Sequence, residues 1–144
     1  MSHQYGFERV YVESEWYDGP RSGIADIHGV PHRFKSNFDE HDDEWLGTFV
    51  VFPIEPDLLA LEQEQWRIFV AWNKRHEADC QDTSTHPGHG GIDQRWDELE
   101  VLLAESRNTY PADVRSAKAE FLRLDREERY DDDGPDYRLS WKVL

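Results

Sequence analysis

The end of the chain alternates strictly: Tyr137, Leu139, Trp141 and Val143 fall on one parity, and Arg138, Ser140 and Lys142 on the other. Apolar residues at period two mark a strand with one buried face. A strand cannot stand alone, and the segment just before it is a Gly134-Pro135 break preceded by charge. Its partners must therefore come from far back in the sequence, which ties both ends of the chain into one sheet.

The remaining strand signals lie in the first third. Residues 7–12 are rich in aromatic and β-branched side chains and predict a first strand. Asp18-Gly19-Pro20 then makes a turn. Residues 23–27 and 30–35 flank His28-Gly29, a two-residue loop suited to a tight hairpin. Pro31 lacks an N–H, which places its strand at an edge or beside a bulge. Residues 39–44 are a run of acids around His41 and predict a loop. Residues 45–54 are apolar at both parities, as in a strand covered on both faces.

Helical periodicity follows. Pro56 suits a first helical turn, and Leu58, Leu61, Ile68 and Trp72, widened by Leu59, Trp66 and Phe69, form the stripe of a long amphipathic helix to about residue 79. After a Gly-rich loop at 83–91, Ile92, Trp96, Leu99 and Leu103 predict a second helix. Pro111 opens a third segment, where Val114, Ala117, Phe121 and Leu124 fit helical spacing. These elements predict a single α+β domain over residues 1–144, with one antiparallel sheet of about five strands and three helices packed on one face.

Charge narrows the function classes. The 144 residues carry 31 acids against 16 Lys and Arg, a net charge of −15, with the excess in both halves. Such a field repels phosphate backbones and attracts basic proteins, so a basic partner is expected and nucleic acid is not. No apolar run reaches the length of a membrane span, and no basic stretch followed by an apolar one opens the chain. With the single cysteine Cys80, this composition predicts a cytoplasmic protein, monomeric or homodimeric.

No chemical motif stands out. His86 and His89 sit in the Gly-rich loop close to Cys80. Their residue types suit zinc, but the spacing matches no zinc motif, so they are weak candidates and no metal or other cofactor is expected. Asp131-Asp132-Asp133-Gly134 lacks the alternating ligands and closing Glu of a calcium loop. A Gly-rich phosphate loop, a Gly-x-Ser-x-Gly elbow and a Cys-x-x-Cys pair are all missing. The balance leans away from an enzyme.

The densest segment is 16–34, which packs a turn, a hairpin and several aromatics. Its Tyr17-Asp18-Gly19-Pro20-Arg21-Ser22-Gly23 turn and Gly29-Val30-Pro31-His32 hairpin resemble those of a family of small uncharacterised bacterial proteins. Gln65-Trp66-Arg67-Ile68-Phe69 and His86-Pro87 are similar to that family's Trp-rich helix and His-Pro loop. The resemblance implies no activity. From the residues themselves, Tyr17, Arg21, His28, His32 and Arg33 form the candidate binding set, because Arg and aromatic side chains are favoured at binding surfaces. The leading expectation is a protein-binding inhibitor, immunity or accessory module. The alternative is a small enzyme or ligand-binding domain that uses the hairpin His and Arg residues.

Overall fold

In a computed structural model, which describes residues 6–38, 45–79 and 83–144, six antiparallel strands close on themselves. They are β1 (Glu8–Trp16), β2 (Pro20–Ile27), β3 (Val30–Ser36), β4 (Thr48–Pro53), β5 (Arg115–Arg123) and β8 (Tyr137–Val143). Each pairs with the next, and β8 returns to β1 with Glu8 opposite Leu139. Two-residue strands β6 (Tyr130–Asp131) and β7 (Gly134–Pro135) form a small ribbon between β5 and β8. Between β4 and β5 lie helices α1 (Pro56–Asp79) and α2 (Gln94–Asn108).

The open five-stranded sheet with three helices on one face is thereby corrected: the sheet is a closed barrel of six strands, and the helices are two. The third predicted helix is β5. Ala117 and Phe121, four apart, satisfy either period, and Ala119 between them decides for the strand. Both alanines are fully buried in the barrel core. Arg115–Arg123 is rich in good helix formers, but pairing with β4 on one side and β8 on the other overrides that local preference.

Side-chain size permits the closure. Phe34, Phe49 and Trp141 meet inside the barrel with ring centroids 5.5–5.8 Å apart. Ala119 faces Trp141 across the β5–β8 ladder, and Ala117 faces Phe49 across β4–β5. Small residues opposite large ones let the rings reach the axis. The other parity of β4 also packs, since Phe52 lies against Tyr110 at 5.8 Å. Register shifts between Val10 and Val12 and between Glu13 and Glu15 bend β1, which adds the twist that closure requires. At the β2–β3 hairpin, His28 and Gly29 both take positive φ, 53° and 79°, as a two-residue turn matched to strand twist demands.

The chain divides into two compact units: the barrel, ending at Ile54 and resuming at Tyr110, and a helical unit, Glu55–Thr109. In the helical unit α1 and α2 are antiparallel neighbours around Trp66, Val70, Leu99 and Leu103. Two arginines of α2 fasten them. Arg107 makes a two-pronged bond to the buried Glu62, at 2.7 and 3.0 Å, and a third to Gln65 at 2.6 Å. Arg95 grips Glu64 in the same fork, at 2.6 and 2.9 Å. Such paired forks fix helix register as well as adding energy. Asp93 caps α2 by accepting from the Trp96 N–H at 2.9 Å.

Strand β2 passes so close to the bend in β1 that a Cβ on Gly23 would overlap the Val12 carbonyl oxygen. Gly23→Ala is therefore expected to destabilise the chain by about 2 kcal/mol or more in urea unfolding. Val101→Ala, at an exposed site on α2, should stay within about 0.5 kcal/mol. Equal effects would show that β1 and β2 do not approach as described.

Candidate functional site

Alternation of strand direction brings the end of β1, the start of β2, the ends of β3 and β5 and the starts of β4 and β8 to one end of the barrel. Large side chains stay exposed there: Tyr17 is 73% accessible, Phe38 53% and Trp16 41%, joined by Leu122. Two sets of contacts hold these rings in place.

The first set centres on Arg21. Its side chain is buried, donating from Nε to the Tyr17 carbonyl at 2.7 Å and from Nη1 to the Leu46 carbonyl at 3.2 Å and Ser36 Oγ at 3.3 Å. The guanidinium also lies 5.7 Å from the Phe38 ring centre, within cation–π range. Ser36 Oγ accepts from the Phe38 N–H at 2.8 Å, so one cation and one hydroxyl place both Tyr17 and Phe38.

The second set lies under Trp16. Arg129 donates to Glu13 at 2.7 Å and to Asp136 at 3.1 Å, while Arg123 reaches both Asp136 oxygens at 2.9 and 2.8 Å. The Tyr137 hydroxyl donates to Glu13 at 3.0 Å. Burial, reinforced by the Glu13 carboxylate, pushes the Tyr137 phenol well above its usual range, so it remains a donor at every physiological pH. Arg129 and Arg123 lie 4.6 and 5.5 Å from the Trp16 ring centre, and Trp16 packs on Phe121 and Tyr137 at 5.9 and 5.7 Å. Both carboxylates are nearly inaccessible, Glu13 at 7% and Asp136 at 8%, and each is paired.

Of the five residues proposed from sequence, this end of the barrel collects Tyr17 and Arg21. His28 lies at the opposite end of the β2–β3 hairpin, about 23 Å from Arg21 at the rise of an extended strand, and His32, opposite Ala25, lies about 13 Å away. His28 donates its backbone N–H to Glu8 at 3.0 Å, and the His32 ring sits 2.7 Å from the Val30 carbonyl. Arg33 is buried midway, opposite Ile24. The hairpin set is thus spread along two strands rather than gathered. Glu13, Trp16, Phe38, Arg123, Arg129 and Asp136 are the residues that sequence reasoning missed. They converge from four elements, and no local spacing announces them.

In the helical unit, His86 sits in a nest of rings: Trp72 at 4.6 Å, Phe69 and Trp96 at 5.9 Å and His89 at 6.1 Å. Its Nδ1 accepts from the Gly88 N–H at 2.8 Å, capping the short turn Pro87–His89. His76 stacks on the other side of the cluster, 4.8 Å from Trp72. Among the described residues, no group of three or more His, Cys, Asp and Glu could hold a metal ion. Cys80 lies outside those residues, as does the 39–44 acidic run with His41. Among the described residues no helix is long and apolar enough to cross a membrane. Comparison with protein-family models, curated proteins and solved structures finds no match to this chain.

Two outcomes follow from these geometries. Arg129→Ala strands Glu13 without its cation and leaves Asp136 with only the half-exposed Arg123, so a loss of about 3 kcal/mol is expected. Arg123→Ala should cost about 1 kcal/mol or less, because Arg123 is solvent-screened and Asp136 keeps Arg129. If denaturant unfolding ranks the two the other way, the network is misassigned. The second outcome concerns pH. Burial, helped by the charge of His89, lowers the His86 pKa below its usual 6.5. The unfolded chain therefore takes up the proton first, so this contribution to stability is full above about pH 7 and falls as pH drops through the imidazole range. His86→Asn keeps an acceptor for the cap without titrating. Melting midpoints between about pH 7.5 and about pH 5.5 should accordingly slope less in that variant than in the parent chain.

Proposed function

We propose that this chain is a protein-binding module of the inhibitor, immunity or accessory kind, acting in the cytoplasm on a basic partner through the exposed end of its barrel. The observation that carries the reading is the trio Trp16, Tyr17 and Phe38, left in solvent on a scaffold that fixes their backbones and, for Trp16, its ring. Rigid amphipathic rings supply contact area at small entropic cost, and Trp, Tyr and Arg dominate binding hot spots.

Charge supplies the partner's sign. Glu15 and Asp18 are exposed beside these rings, and Asp125, Glu127 and Glu128 are exposed in the connection that leaves β5 at the same end. Arg123 and Arg129 are already matched by Glu13 and Asp136, so they do not neutralise these exposed acids. A net charge of −15 extends that potential outward, which favours fast, salt-sensitive association with a cationic surface. No arrangement among the described residues favours the hairpin His and Arg residues as a reaction centre.

The test is to isolate the protein gently from its own cells at low salt and weigh it by native mass spectrometry. A bound basic protein that leaves as salt is raised is expected. Replacing Tyr17 and Phe38 together by Ser should weaken that complex by about 2 kcal/mol or more with an unchanged unfolding midpoint. A bare chain at low salt, or a complex indifferent to both substitutions, would overturn the proposal.

A further inference from the structure

We infer that the segment received by this end of the barrel is extended, rich in proline and flanked by Arg or Lys. The inference rests on the binding reading above and names the partner's chemistry at the same surface.

Three recognition modes are open to a rigid module: strand addition, a helix in an apolar groove, and docking of a polyproline helix on aromatic rings. Strand addition needs a free edge. Here every barrel strand has a neighbour on both sides, the stretches without a ladder partner at the β1–β8 and β4–β5 seams are short, and the other described strands are only two residues long. A helix needs a continuous aliphatic trough for its spaced anchors. The exposed apolar side chains of this end instead come singly from separate elements: Trp16 from β1, Tyr17 from the turn after it, Phe38 from the end of β3 and Leu122 from β5. Exposed polar residues interrupt them: Glu15 and Asp18 flank Trp16 and Tyr17, and Asn37 precedes Phe38.

Separate ring faces interrupted by polar groups match the third mode. A polyproline helix has no internal hydrogen bonds, so its carbonyls need donors from its receptor or from water. Trp16 and Tyr17 are both exposed, and neither the Trp16 indole N–H nor the Tyr17 hydroxyl donates to any described residue. Proline rings can pack on aromatic faces while those two groups reach neighbouring carbonyls. Because the ligand is already extended, it loses little freedom on binding, which suits a shallow surface that buries modest area. Glu15 and Asp18 then select a basic residue beside the prolines.

The experiment titrates the full chain with two synthetic peptides of equal charge, followed by Trp emission and calorimetry. One carries consecutive prolines between terminal arginines, and the other has glycine and serine in place of the prolines. The proline peptide should bind about tenfold more tightly or better. Tyr17→Ala and Phe38→Ala should each weaken it about fivefold or more, with unfolding midpoints confirming that both variants fold. Equal affinity for the two peptides, or proline-peptide binding untouched by both variants, overturns the inference. If neither peptide binds while a salt-sensitive basic partner is recovered from cells, the polyproline assignment fails and the binding reading stands. If no partner is recovered either, both fail.

Discussion

Trp141, Phe34 and Phe49 can share the inside of the barrel because Ala117 and Ala119 leave them room. Larger side chains on β5 would force its neighbours apart, and the ladder between β5 and β8 would have to open. Closure in turn gives each of the six barrel strands a partner on both sides, which leaves little edge for unwanted pairing among the described residues. It also fixes which strand ends meet. Trp16, Arg123 and Tyr137 come from three strands and become neighbours when β8 pairs with β5 on one side and β1 on the other.

That convergence brings buried charge with it. Glu13 and Asp136 sit at the end of the barrel with almost no access to water, which would be costly if they were alone. Arg129 bridges them and lies against Trp16 as well, so one side chain neutralises two carboxylates and holds an exposed ring. On the other side Arg21 does comparable work for Phe38 and the Tyr17 backbone, with carbonyl and hydroxyl acceptors in place of carboxylates. A surface whose aromatics are braced from beneath loses little freedom on meeting a partner.

Much of this was legible in the sequence, and the failures have physical reasons. The hairpin at His28-Gly29, the α1 stripe and the alternation from Tyr137 to Val143 are local patterns, and each corresponds to an element with close bounds. Residues 115–123 read as a helix because spacings of four fit a helix and a strand alike, and their composition favours a helix. Only pairing with distant strands decides, and pairing is invisible to a local window. The same blindness hides the closure, since β5 is the sixth strand that completes it. At the candidate site, Tyr17 is legible because a turn displays it, whereas Arg21 is buried in β2 and braces the rings from beneath. Glu13, Arg129 and Asp136 are not legible, because paired burial of a carboxylate depends on what the rest of the chain brings to it. His28, His32 and Arg33 were grouped by nearness in sequence, and an extended hairpin separates such neighbours.

If this molecule binds a partner as proposed, the exposed end of the barrel is the surface that meets it. Hydrogen–deuterium exchange tests this most directly, comparing the low-salt preparation from cells with the same preparation after a high-salt wash. Slower exchange at residues 14–22, 36–38 and 121–129 before the wash, and its loss afterwards, is the predicted result. Protection confined to the helical unit, or none that salt removes, would contradict the account.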